Sequence, residues 1–169
     1  RLTSDGILSD YDVTTSHMGN EISKIGESYQ GQGAWEGQTP VIEVIRKSSE
    51  LMFQGGVSKL LIFCSKDIEF CEVVASVLRD SGLTAETINS KVSTIERRGR
   101  ISAFNDGDIQ VLVSIDVLRE GVDLPCVDGI ILARKGLEQS DPMFTQMIGR
   151  GLRGIESGGT PQCKIAHLI

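Results

Sequence analysis

The run Leu60–Cys64 (LLIFC) constrains this chain more than any other stretch. Five consecutive apolar residues show no alternation, so neither face of a strand built from them can meet water. Such a strand belongs inside a parallel sheet with helices over both faces. The flanking sequence supplies those helices. Thr39 and Pro40 offer a hydroxyl cap and a first-turn proline, and Val41, Val44, Ile45, Ser48 and Met52 recur at helical spacing until Gly55 and Gly56 stop the pattern. Beyond the strand, Ser65 opens a second helix with Ile68, Cys71, Ala75 and Leu78 inward and Gly82 past its end. Ala85–Ile88 reads as another strand, and Ser93 with Glu96 makes a capping box for a third helix running to Asn105. Residues 105–108 (NDGD) form a turn. Residues 110–114, 129–133 and 163–169 read as further strands, and Ser140, Asp141 and Pro142 open a last helix.

Strands alternating with helices at this spacing predict an α/β domain with a mainly parallel sheet between two helical layers. Ligands of such sheets gather at the C-terminal ends of the strands. Ser65, Asn89, Ser114 and residues 134–139 fall there. Residues 1–39 are least legible. A short strand is expected near residues 8–13, while residues 16–37, rich in Gly, Ser, Gln and Asn, read as a loop. Trp35 lies in that loop and reads as a packing plug rather than a platform for a base.

Charge and cysteine content exclude several classes. Seventeen basic against 23 acidic residues give a net charge of −6, which argues against coating nucleic acid by bulk charge. A local basic groove or backbone amides remain available to phosphate. No apolar run approaches the ~20 residues of a membrane span, and no signal-peptide pattern opens the chain. Cys64, Cys71, Cys126 and Cys163 make no C-x-x-C pair, and His17 and His167 are the two histidines, so no metal site is expected. Reduced, buried thiols in an intracellular, cytoplasmic or nuclear protein are the expectation.

Two stretches carry chemistry. Residues 145–154 (TQMIGRGLRG) set Gln146, Gly149, Arg150 and Arg153 at i, i+3, i+4 and i+7, one face of a helix. Gly149 keeps that face low, and two guanidinium forks project beside a long amide. Such forks match phosphate oxygens and stabilise a phosphoryl group in transfer. Read alone, the arginine pair also fits a solvated helix face. Residues 111–128 (VLVSIDVLREGVDLPCVD) end an apolar run at Ser114 and follow it with a glycine-bearing turn. There Asp123 could accept from ribose hydroxyls and Gly121 permits a tight backbone, or the two only shape the turn.

Together with residues 60–66 and the E-R-R-x-R-I-x-x-F run at 96–104, these stretches resemble motifs IV to VI of the superfamily 2 helicases and translocases. The resemblance covers the second of their two RecA-like domains, residues 56–169. E-G-V-D-L-P followed by Q-x-x-G-R-G-L-R looks most like the DExH-type branch of restriction-enzyme motors and repair helicases, since DEAD-box enzymes carry H-R-x-G-R where this chain has Gln146. The resemblance implies residues 40–169 as the RecA-like domain and residues 1–39 as a linker from a first domain. It implies Arg150 and Arg153 as fingers on the γ-phosphate, with Gln146 on the phosphate or attacking water. Gly121, Asp123 and Gly149 are its implied ATP contacts. Ser65, Lys66 and Ser114 would touch the sugar-phosphate backbone, with Asn89 and Lys91 as further candidates. It implies one structural arginine, assigned to Arg97, bracing the third helix against residues 111–128. Arg98 or Arg100 is then expected in solvent.

The chain carries neither G-x-x-x-x-G-K-[ST] nor D-E-x-[HD]. It is therefore expected to hydrolyse nothing alone. ATP and Mg2+ would bind mainly on an N-terminal RecA-like domain of the same parent chain, and nucleic acid, DNA rather than RNA, would be the partner. Two alternatives are a Rossmann-type nucleotide-binding domain, opposed by the missing G-x-G-x-x-G, and a non-catalytic RecA-like interaction module, opposed by the complete Gln146, Gly149, Arg150 and Arg153 set.

Overall fold

A computed structural model describes residues 10–16, 39–64, 68–115, 127–133 and 162–168. The described elements, in chain order, are β1 (Asp10–Ser16), α1 (Thr39–Gln54), β2 (Leu60–Cys64), α2 (Ile68–Asp80), β3 (Ala85–Ile88), α3 (Thr94–Asp106), β4 (Val111–Ser114), β5 (Gly129–Ala133) and β6 (Gln162–Leu168). The six strands form one sheet in the order β1-β6-β5-β2-β4-β3. Every pairing is parallel.

β2 sits in the sheet interior between β4 and β5, and all five of its residues are buried. That is the outcome an unbroken apolar run demands. α2 carries the chain from β2 past β4 to β3, and α3 brings it back to β4. The two connections cross the sheet in opposite directions, so right-handed crossovers put them on opposite faces. Burial agrees. Leu60, Ile62 and Cys64 share one core with Ile42 and Ile45 of α1 and Cys71, Ala75 and Leu78 of α2. On the other face Leu61, Phe63, Leu112, Ile130 and Leu132 are fully buried, and α3 contributes Phe104, its one buried residue.

Local sequence sets where the helices stop. All three end in the same glycine cap, with Gly56, Gly82 and Gly107 at φ of 100°, 92° and 90°, where a Cβ would be strained. After α1 the Gly56 N–H reaches Phe53 O at 3.2 Å and the Val57 N–H reaches Met52 O at 3.0 Å, the paired bonds of a Schellman turn. α3 begins in the expected capping box: Ser93 accepts from the Glu96 N–H at 3.2 Å and Glu96 accepts from the Ser93 N–H at 3.2 Å.

Three expectations shift. The inward serine of α1 is Ser49, fully buried with its hydroxyl donating to Ile45 O at 2.7 Å, whereas Ser48 is half-buried. Val44, Ile45 and Met52 are buried as expected, and Ile42 and Ser49 are buried in place of Val41 and Ser48. The N-terminal strand covers residues 10–16, so the loop expected from residue 16 cannot include Ser16. β1 pairs with β6 in the sheet, from Asp10↔Gln162 to Ser16↔Leu168. Finally, Asp106 still belongs to α3, and the turn begins at Gly107.

The opposite edge of the sheet is closed by charge. Among the described residues β3 pairs with β4 alone, leaving carbonyls pointing outward. Arg79 of α2 donates to Ala85 O at 2.8 Å, Arg100 of α3 to Thr87 O at 2.7 Å, and Arg97 to Asn89 O at 3.3 Å. Three guanidiniums thus occupy alternate carbonyls of one edge and block a foreign strand from adding there. Arg98 is exposed as expected.

At the strand entries Asp128 accepts from the Ser58 and Lys59 N–H groups at 3.0 and 2.8 Å, fixing the turn before β2 against the start of β5. The next residue, Gly129, has no room: a Cβ would lie 2.8 Å from Val57 Cγ1 and 3.2 Å from Leu60 Cδ1. Gly129→Ala is expected to destabilise the fold by about 1–3 kcal/mol. A urea titration that finds its midpoint unchanged would contradict this packing. Cys64 and Cys71 are buried free thiols, and the hydrogen bond to Cys71, with burial, holds the Cys64 thiol well above its ordinary range.

Candidate nucleotide and nucleic-acid interface

Because the strands are parallel, all six release the chain at one edge of the sheet. β2, β4 and β3 are consecutive neighbours, and Phe63, Ser114 and Ile88 share one register row. The row brings together three expected contact points: Ser114, the chain leaving β2 before Ser65, and the turn that starts at Asn89. Ser65, Lys66, Gly121, Asp123, Gln146, Gly149, Arg150 and Arg153 lie outside the described residues.

Ser114 ends β4 at 2% exposure. The residue after it, Ile115, is buried as well, and residues 116–126 lie outside the described residues. Lys91 and Ser90 are exposed.

Asn89 requires a correction. Its side chain, 6% exposed, is turned inward and occupied at both ends. Nδ2 donates to Glu72 Oε1 at 3.2 Å, and Oδ1 accepts from the Lys91 N–H at 2.9 Å. Its carbonyl accepts from the Val92 N–H at 3.2 Å and from Arg97. A buried amide pays a desolvation penalty unless bonded, and this one is bonded throughout. Asn89 is therefore the framework of the turn, and Ser90 and Lys91 stand exposed beside it.

Arg97 was expected to brace α3 against residues 111–128, of which 116–126 lie outside the described residues. Its described bond runs to β3's terminal turn, not to residues 111–115. Arg100 holds β3 more tightly, at Thr87 O, with Glu86 3.7 Å away.

Glu72 and Thr87 were not anticipated from the sequence. Thr87, 1% exposed, donates through Oγ1 to Glu72 Oε1 at 2.7 Å. One signal existed: Thr87 is a hydroxyl in the middle of a buried strand, which needs a partner. Its partner lies 15 residues away, beyond what a local pattern can supply. Among the described residues no cluster of three or more His, Cys, Asp or Glu could hold a metal ion.

The parallel sheet, its strand order and the shared strand-end face define a RecA-like α/β domain. The helicase conserved C-terminal domain family matches residues 43–154, and the chain belongs to that family, the second RecA-like domain of superfamily 2 helicases. The Saccharomyces cerevisiae protein named ATP-dependent helicase IRC3 is 32% identical over 111 residues, 66% of this chain and 16% of that protein. UvrABC system protein B of Treponema denticola is 32% identical over 124 residues, 68% of this chain and 19% of its own length. The chain thus spans less than a fifth of the curated relatives it matches. In fold it is similar to the RNA-helicase Prp28 of Chaetomium thermophilum (TM-score 0.64, 17% identity, 95% of this chain and 32% of that one). It is likewise similar to a fragment of an HsdR-type subunit of a type I restriction enzyme of Vibrio vulnificus (TM-score 0.63, 20% identity, 97% and 32%).

Proposed function

We propose that this chain is the second motor domain of an ATP-dependent helicase or translocase that moves on DNA. Its family membership over residues 43–154 carries the reading, because that span contains the whole Q-x-x-G-R-x-x-R set. In this reading Arg150 and Arg153 reach the γ-phosphate of ATP held on a separate N-terminal RecA-like domain, and Gln146 contacts the phosphate or the attacking water. Gly121, Asp123 and Gly149 complete the nucleotide contacts. ATP and Mg2+ are bound mainly by the other domain, because this sequence has no phosphate loop.

The strand-end face takes the nucleic-acid backbone. Ser65, Lys66, Lys91 and the backbone after Ser114 contact phosphate and sugar without reading bases, so no sequence preference follows. The resemblance of E-G-V-D-L-P and Q-x-x-G-R-G-L-R to the branch of restriction-enzyme motors and repair helicases favours DNA, and RNA-helicase likeness in fold makes RNA the competing track. The test is ATP turnover of the full-length protein with DNA or RNA at equal nucleotide concentration. Stimulation by DNA supports the assignment. Stimulation by RNA alone reassigns the track, and turnover indifferent to both removes the motor reading.

A further inference from the structure

We propose that Glu72 is a positioning residue for the phosphate-contacting turn at the end of β3, a role that rests on the nucleic-acid reading of the strand-end face. The turn is tied to both helical layers. On one side Glu72 of α2 accepts from Thr87 Oγ1 at 2.7 Å and from Asn89 Nδ2 at 3.2 Å. On the other, Arg97 of α3 donates to Asn89 O at 3.3 Å. Asn89 relays the hold: with Nδ2 fixed by Glu72, its Oδ1 faces the Lys91 N–H at 2.9 Å. The conformation that leaves Ser90 and Lys91 exposed is thus set by a carboxylate on another element.

Electrostatics alone gives Glu72 the opposite sign. An exposed carboxylate near a phosphate-binding face repels the ligand, so its removal should tighten binding. Two protein donors on the one oxygen make it useful there. A turn already held in its binding conformation loses less freedom when phosphate arrives. Positioning and repulsion therefore predict opposite results for one substitution.

The experiment measures binding of the full-length protein to a fluorescent thymidine oligonucleotide across a salt series. Lys91→Ala should weaken binding and lower the slope of log K against log salt by about 0.7, one phosphate contact on a single strand. Glu72→Ala should weaken binding by about three- to tenfold, the scale of one lost hydrogen bond. Added to Lys91→Ala it should cost nothing further. Glu72→Gln, which keeps an acceptor and loses the charge, should bind at least as well as the parent. Amide exchange at Lys91 should quicken in Glu72→Ala and not in Glu72→Gln. If Lys91→Ala binds like the parent, the nucleic-acid reading of this turn fails and the inference with it. If Lys91→Ala weakens binding while Glu72→Ala leaves it unchanged or tighter, positioning alone is overturned.

Discussion

Arg150→Ala or Arg153→Ala is expected to lower ATP turnover of the full-length protein by about 10³–10⁵-fold while its thermal unfolding stays unchanged. The size follows from what a guanidinium does during phosphoryl transfer. Charge spreads over the transferred group's outer oxygens, and a planar fork donates to two of them in a site closed to water. Lysine keeps the charge and loses the fork, so Arg→Lys should recover only part of the rate. The loss should appear mainly in kcat, because the interaction is strongest in the transition state. Variants that turn over at the parent rate would make these residues a solvated helix face and favour an interaction module that has lost its motor role.

Phe104→Ala should be the most damaging substitution among the described residues of α3, costing about 3–5 kcal/mol. Phe104 is fully buried and is the one buried side chain of that helix. The rest of α3 holds on by polar contacts: Arg100 on Thr87 O, Arg97 on Asn89 O and Lys59 Nζ on Asn105 O. Each is worth about 1 kcal/mol net, so they cannot replace the aromatic anchor. Loosening α3 should also release the edge carbonyls of β3, so the variant should aggregate as well as unfold at lower denaturant. A Phe104→Ala protein with the parent's urea midpoint would mean that α3 is docked by something other than this ring.

The sequence is most legible where a local rule has no competitor. Leu60–Cys64, Ala85–Ile88 and Gly129–Ala133 occur with the expected bounds because uninterrupted apolar runs between turn residues suit little else. Ser93 and Glu96 specify the start of α3 because the capping box lies within four residues. β1 was hard to delimit because Tyr11 and Val13 are the two apolar residues between Asp10 and Ser16, too few to mark where a strand begins and ends. Its extent is set by β6, about 150 positions away. Asn89 misled for a related reason. An asparagine after a strand looks like a surface turn residue, and only its distant partners Glu72 and Arg97 reveal the buried amide. The Q-x-x-G-R-x-x-R set is legible as a sequence pattern, and its residues lie outside the described ones, whereas the positioning of Lys91 depends on contacts between elements.

In the proposed function this domain supplies half of a nucleotide site. The most direct measurement is ATP hydrolysis, with DNA present, by the chain alone, by the phosphate-loop domain of its parent alone, and by the full-length protein. Turnover is expected only when both halves are joined, and it should be lost when Arg150 is replaced by alanine. Turnover by the isolated phosphate-loop domain at the full-length rate would contradict it.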